Sequence, residues 1–295
     1  MKLLVPAVLF CCAGLLAQKQ PQEKPPFRLP ETVSLTPDIV YARYGARELH
    51  LDLYAPKAGK GPFPAVVFIH GGGWENGDKY RFRRQAALLA EKGFVTACIE
   101  YRLSGEAKFP AAVYDSKAAV RWMRANATRY KINPDKIGAA GGSAGGHLVT
   151  FLGVTPDRPE FEGDGGNSGV SSRVQAVVAL YPVVDFVSFG KRLGNQQNSM
   201  SKFLGATYAE KPELWAKASP VTYVSKDSAP TLFMHGTEDQ IPIQHSIDMM
   251  NQLKAAGVLS EIFVAKGAGH GFANGPQWFE PSVRRMEEFF IKTLK

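Results

Sequence analysis

Apolar residues along the chain fall into two rhythms. Short continuous runs read as strands: ELHLDLYA at 48–55, AVVFIH at 65–70, FVTACIEYR at 94–102, KIGAAGG at 136–142, VQAVVALY at 174–181, APTLFMHG at 229–236 and SEIFVAKG at 260–267. Segments with helical spacing separate them at 79–92, 115–128, 143–153, 243–256 and 277–294. Continuous apolar strands alternating with helices predict an α/β fold, a mostly parallel sheet covered by helices on both faces. The stretch 182–229 breaks the alternation, with Gly and Asn punctuating FGKRLGNQQNSMSKFLG. It predicts a short helical insertion over the carboxyl ends of the strands, where such sheets bind ligands.

The bulk properties fit that picture. A chain of 295 residues, 45% apolar and 21% charged, supports one domain with a large core, here 41–295. The net charge of +8 comes from basic residues interspersed with acidic ones, so no nucleic-acid partner is expected. The opening MKLLVPAVLFCCAGLLAQ has one lysine and an uncharged, largely apolar stretch, and predicts a signal peptide over 1–17 and a secreted or periplasmic protein. That stretch is shorter than the ~20 apolar residues of a spanning helix, so the mature chain is expected to lack a membrane span. Cleavage after Ala17 would leave Cys98 as the one cysteine, unable to form an internal disulfide and read as a buried strand residue. Residues 18–40, Pro-rich and without clear periodicity, predict an extended arm leading into the domain.

The chemistry begins at GAAGGSAGGHLV, where Gly141, Ser143 and Gly145 form G-x-S-x-G between a strand and a helix. With 29 glycines the five-residue pattern alone is weak, and its strand–turn–helix setting carries the inference. A sharp turn lifts the serine off the strand end, and glycines on either side avoid the clashes side chains would create there. A Gly-rich helix start capped by Ser143 is the bland alternative. Acyl transfer also needs donors for an oxyanion, and IHGGGW supplies backbone without side chains: Gly72 and Gly73, joined by Ala144 at the start of the nucleophile helix.

Six histidines compete for the role of general base. His270, in the Gly-rich loop KGAGHGF after the last strand, follows the other candidates in the order Ser, Asp, His that accompanies this elbow. His147 is fixed along the nucleophile helix and is read as a packing or capping residue; His70 belongs to the glycine turn. His50, His235 and His245 lie in an early strand, at a strand end and at a helix start. For the acid, Asp239 in HGTEDQIPI is preferred to its neighbour Glu238, with Asp185 in YPVVD as the rival one strand earlier.

The segments HGGGWENGDK, YRLSGEAKFPAAVYDSKAAVRW, GGSAGGHL, SPVTYV and HGTEDQIPI resemble the α/β-hydrolase esterases of the BD-FAE and hormone-sensitive-lipase-like groups, over about residues 40–294. GGSAGGHL in place of GDSAGG, and no large cap before HGGGW, bring the chain nearer the BD-FAE side. The resemblance implies a cofactor-free and metal-free hydrolase of carboxylic esters, with carboxylesterases, acetylxylan esterases and feruloyl esterases among its relatives. It implies a small-molecule or polysaccharide-linked ester as substrate. By matching position, it puts Ser143, Asp239 and His270 on the triad and Gly72, Gly73 and Ala144 on the oxyanion hole. Tyr101, Arg102 and Asp115 are assigned to scaffold hydrogen bonds. Trp74 either packs beneath the oxyanion turn or lines the pocket, and Phe189, Met200, Phe203 and Trp215 are candidate pocket walls. An amide hydrolase with the same triad, and a non-catalytic binding protein on a hydrolase scaffold, are the competing functions.

Overall fold

The computed structural model describes residues 27–156 and 158–295. The leader expected over 1–17 and the start of the arm lie outside the described residues. The chain runs β1 (Val33–Tyr44), β2 (Arg47–Pro56), β3 (Phe63–Ile69), α1 (Arg83–Glu91), β4 (Val95–Ile99), α2 (Ala111–Ala125), α3 (Ala127–Tyr130), β5 (Ile132–Gly142) and α4 (Ala144–Val154). It continues through β6 (Ala176–Leu180), α5 (Phe186–Leu193), α6 (Ser199–Leu204), α7 (Pro212–Lys217), β7 (Thr231–Gly236), α8 (Gln244–Ala255), β8 (Ser260–Ala265) and α9 (Phe279–Leu294). These strands form an 8-stranded sheet in the order β1-β2-β4-β3-β5-β6-β7-β8. Pairing is antiparallel for β1–β2 and β2–β4 and parallel from β4 through β8.

Alternation along each strand sends neighbouring residues to opposite faces, and each face meets its own helices. Val67 and Ile69 of β3 join Val120 of α2, Leu148 and Phe151 of α4 and Leu253 of α8 in one buried cluster. Val66 and Phe68 join Ala86 and Leu89 of α1 and Met286 and Phe289 of α9 in the other. Cys98 is buried in this second cluster, where loss of solvation pushes its thiol pKa well up. Helix α2 starts at Ala111, one turn before the expected boundary, directly after Pro110. Asp115 therefore sits inside the helix, where its carboxylate accepts from the Arg102 backbone N–H at 2.8 Å and from its guanidinium at 2.8–3.1 Å.

The extended arm predicted for 18–40 is corrected at its C-terminal end, because β1 begins at Val33 and forms the sheet's edge. Two register shifts, between Thr36 and Ile39 and between Val40 and Ala42, break the period-2 signal that would have marked a strand. Pro37 falls in the first shift, where an edge strand tolerates a residue without an N–H. Asp38 takes φ 55° beside it. Its N–H donates to Asp52 at 3.0 Å, and the buried Lys79 ammonium bridges Asp38 and Asp52, tying the edge to the turn before α1.

The insertion at 182–229 carries α5, α6 and α7, each with local reasons to start or stop. Asp185 caps α5 by accepting from Ser188 N at 3.0 Å. A reciprocal Asn198–Ser201 capping box opens α6, Gly205 at φ 79° closes it, and Pro212 occupies the first turn of α7. Among the described residues no helix is long and apolar enough to cross a membrane.

Candidate active site

Strand β5 ends at Gly142 and α4 begins at Ala144, leaving Ser143 alone on the turn with φ 57° and ψ −120°. A serine held at positive φ stores backbone strain of about 1–3 kcal/mol, which the packing around it must offset. The flanking glycines show how tight that packing is. A Cβ on Gly145 would lie 2.1 Å from the Ile69 carbonyl oxygen, and one on Gly141 would lie 2.5 Å from that of Gly145. Strand β3, the elbow and α4 thus meet backbone to backbone, and the serine is lifted to the carboxyl edge of the sheet.

His270, on the loop after β8, brings Nε2 to 2.9 Å from Ser143 Oγ. Its Nδ1 lies 2.9 Å from both oxygens of Asp239, which the turn after β7 delivers. The Asp239 side chain is fully buried, while that of His270 keeps 26% of its exposure. A buried carboxylate needs donors, and Asp239 Oδ1 also accepts from Ile241 N at 2.8 Å. The serine, imidazole and carboxylate form an unbroken hydrogen-bonded series. Asp185 is not in it, being occupied as the cap of α5, and Glu238 points to neither partner among the described hydrogen bonds and ion pairs.

The glycine turn after β3 faces this series. Gly72 and Gly73 take φ 119° and 62°, a region open to glycine, and a Cβ on Gly72 would lie 2.0 Å from the Asn76 carbonyl oxygen. Among the described residues, the N–H groups of Gly72, Gly73 and Ala144 donate to no acceptor. Three free backbone donors around one serine suit a developing oxyanion.

The other histidines are engaged elsewhere. His70 Nδ1 lies 2.8 Å from Gly71 O, and its ring stacks on Tyr101, whose hydroxyl donates to the His70 carbonyl at 3.1 Å. His235 reaches Ser246 Oγ at 2.8 Å and donates from Nε2 to Ile241 O at 2.9 Å. His50 approaches Glu100 at 3.4 Å, and His245 contacts Ser188 at 3.3 Å. Burial lowers the pKa of His70, His235 and His245 alike.

His147 is fully buried, donates from Nε2 to Ala218 O at 2.8 Å, and has burial to thank for a pKa lowered from 6.5 to about 4. The unfolded chain takes up this proton near pH 6.5 and the folded chain resists until near 4. The contribution is therefore intact above pH 6.5 and lost as pH falls between those values, about 3 kcal/mol in all. Denaturant unfolding of the wild type and His147→Asn at pH 7 and pH 4 should show that much more acid loss in the wild type; equal losses would refute it.

A cavity of about 470 Å³ opens over Ser143 and His270. Trp74, Phe189 and Met200 line it, with Val183 and Ile241 beside them. Phe203 and Trp215 do not, and here the expected pocket walls are corrected. Phe203 is buried against Trp74, ring centroids 4.7 Å apart, and Trp215 is buried with Nε1 donating to Ala206 O at 3.1 Å. Phe203 packs the insertion onto the turn that carries Trp74, while Trp215 packs within the insertion against Phe186 and Tyr208. That residue serves both roles considered for it. Tyr181, just beyond β6, was not singled out from the sequence. It takes φ 40°, lines the cavity and packs edge-on against His270 at 4.9 Å. Its position at the carboxyl end of the strand next to the nucleophile strand was the available signal.

The BD-FAE family matches residues 51–253. The probable carboxylic ester hydrolase LipM of Mycobacterium tuberculosis is 35% identical over 230 residues, 74% of this chain and 51% of its own. The chain spans about half the length of the curated relatives it matches. A truncated carbohydrate esterase from gut microbiota superposes with a TM-score of 0.77 at 29% identity, covering 88% of this chain and 95% of that one. The esterase Est2 of the Planctomycetes species Thermogutta terrifontis, with propionate bound, gives 0.73 at 29% identity, covering 89% and 96%.

Proposed function

This chain belongs to the BD-FAE family, on an α/β-hydrolase fold, and from that premise we propose that it hydrolyses carboxylic esters through an acyl-enzyme on Ser143. The observation that carries the reading is the hydrogen-bonded series Ser143–His270–Asp239 at 2.9 Å a step. His270 Nε2 takes the Ser143 proton as Oγ attacks the ester carbonyl. The tetrahedral oxyanion is held by the N–H groups of Gly72, Gly73 and Ala144, while Asp239 stabilises the imidazolium. His270 then protonates the departing alcohol. Water, deprotonated by the same imidazole, attacks the acyl-enzyme, and the acid leaves with Ser143 restored.

The preferred substrates are short-acyl or aryl esters, such as acetyl or feruloyl groups on polysaccharide. Phe189 and Met200 line a cavity of about 470 Å³ that opens to solvent, so an acyl group can meet these side chains while a saccharide alcohol reaches outward. The carbohydrate esterase neighbour and the neighbour carrying propionate support this preference. A leader over 1–17 would deliver the enzyme to where polysaccharide esters lie.

A series of p-nitrophenyl esters tests the reading. kcat/KM is expected to be highest between acetate and butyrate and to fall about tenfold or more by octanoate, because a chain with no room forfeits several methylene contacts. A maximum at long chains would point to a lipase. Turnover of aryl-formamides or peptides in preference to esters would favour the amide reading.

A further inference from the structure

We propose that Arg81 and Asn274, which both line the cavity over Ser143, make this site select esters whose alcohol half carries a carboxylate, the class to which an O-acylated uronic-acid saccharide belongs. The selectivity presupposes the ester hydrolysis above and adds the charge of the substrate to it. Arg81 lies in the turn Lys79–Phe82 and lines the cavity over Ser143. Its side chain is solvent-exposed and, among the described residues, makes no ion pair, side-chain hydrogen bond or ring contact.

The other cations of this segment, and Lys202 of α6, are engaged elsewhere, with Arg83 lying over the Phe27 ring at 4.9 Å. Lys79 is buried between Asp38 and Asp52, Arg84 lies over the Phe279 ring at 4.0 Å, and Lys202 pairs with Glu75 at 2.7 Å. No carboxylate lines the cavity among the described residues, since Asp239 is fully buried behind His270. Among the described residues Arg81 is thus the one permanently charged side chain in that lining, and it has no ion-pair partner there.

A second donor lines the same cavity. The buried Gln85 donates from Nε2 to Asn274 Oδ1 at 2.9 Å, which turns that oxygen toward Gln85 and leaves the Asn274 amide N–H groups unpartnered among the described residues. Asn274 also lines the cavity. A planar guanidinium and an amide NH₂ together match the two oxygens of a carboxylate, and a cleft with low-dielectric walls concentrates the field of an unpaired cation.

The catalytic geometry assigns the half of the substrate. His270 must hand its proton to the departing alcohol oxygen, so the alcohol lies on the His270 side. Gly271 and Asn274 follow His270 on one loop, and Gln85 ties that loop to the start of α1 next to Arg81. Val183, Phe189 and Met200, which also line the cavity, are apolar and suit the acyl group.

The test compares 4-acetoxybenzoate with 4-acetoxybenzamide, alike in shape and different by one charge, with each kcat/KM scaled to its rate with hydroxide. The wild type is expected to favour the carboxylate about tenfold, chiefly in KM, and the preference should shrink as sodium chloride is added. Arg81→Gln should bring the ratio near unity and Arg81→Glu should invert it. A wild-type ratio near unity, or an unchanged ratio in Arg81→Gln, would overturn the proposal. Hydrolysis of neither ester by the wild type would instead overturn the ester-hydrolase reading, and the selectivity with it.

Discussion

Ser143→Ala is expected to lower kcat for p-nitrophenyl acetate by on the order of 10⁶, the scale seen when a triad nucleophile is removed from another serine hydrolase. Alanine leaves His270 Nε2 with no oxygen to activate, whereas the free donors of Gly72, Gly73 and Ala144 remain and keep a small rate above that of water. The fold should survive, because alanine carries the same Cβ at φ 57° as the serine it replaces. Ser143→Gly should be equally inactive yet more stable by about 1 kcal/mol, since glycine occupies positive φ without that strain. Thermal unfolding beside the rate measurement checks both statements. Loss of activity caused by unfolding would show at once as a lower midpoint in Ser143→Ala.

Asp239→Asn should reduce kcat by about 10⁴ with the fold intact. Asparagine can donate to His270 Nδ1, which would put the ring proton on Nε2 and leave Ser143 without an acceptor. The position tolerates an amide sterically, and its bond from Ile241 N at 2.8 Å can persist. Asp185→Asn is the matched control. That side chain caps α5, where asparagine is as good a cap as aspartate, so no comparable loss is expected. Kinetics of the two variants on the same ester decide which carboxylate orients the imidazole, and a large loss in Asp185→Asn alone would reverse the assignment.

Much of this site was legible because its parts are local. The elbow needs glycines at fixed offsets from Ser143, and the oxyanion turn needs glycines directly after a strand, so both leave marks within a few residues. His270 and Asp239 each follow an apolar strand, and chain order connects them. Features that depend on distant packing left weaker marks. The β1 edge hid behind Pro37 and two register shifts, and its anchor, Lys79 with Asp38 and Asp52, joins three separate segments. Phe203 and Trp215 were indistinguishable from pocket walls because hydrophobicity does not say which way a helix in an insertion faces. Tyr181 escaped notice for a related reason: its backbone conformation and its contact with His270 arise only when β5 and β6 are side by side.

The most direct measurement of the central claim is covalent labelling by a fluorophosphonate, followed by intact mass and peptide mapping. The wild type should take up one equivalent, and the added mass should map to Ser143 in GGSAGGHL. Ser143→Ala should take up none, and Asp239→Asn should react far more slowly at the same residue. Stoichiometric labelling that persists in folded Ser143→Ala, or an unlabelled wild type that still turns over p-nitrophenyl acetate, would contradict an acyl-enzyme on Ser143.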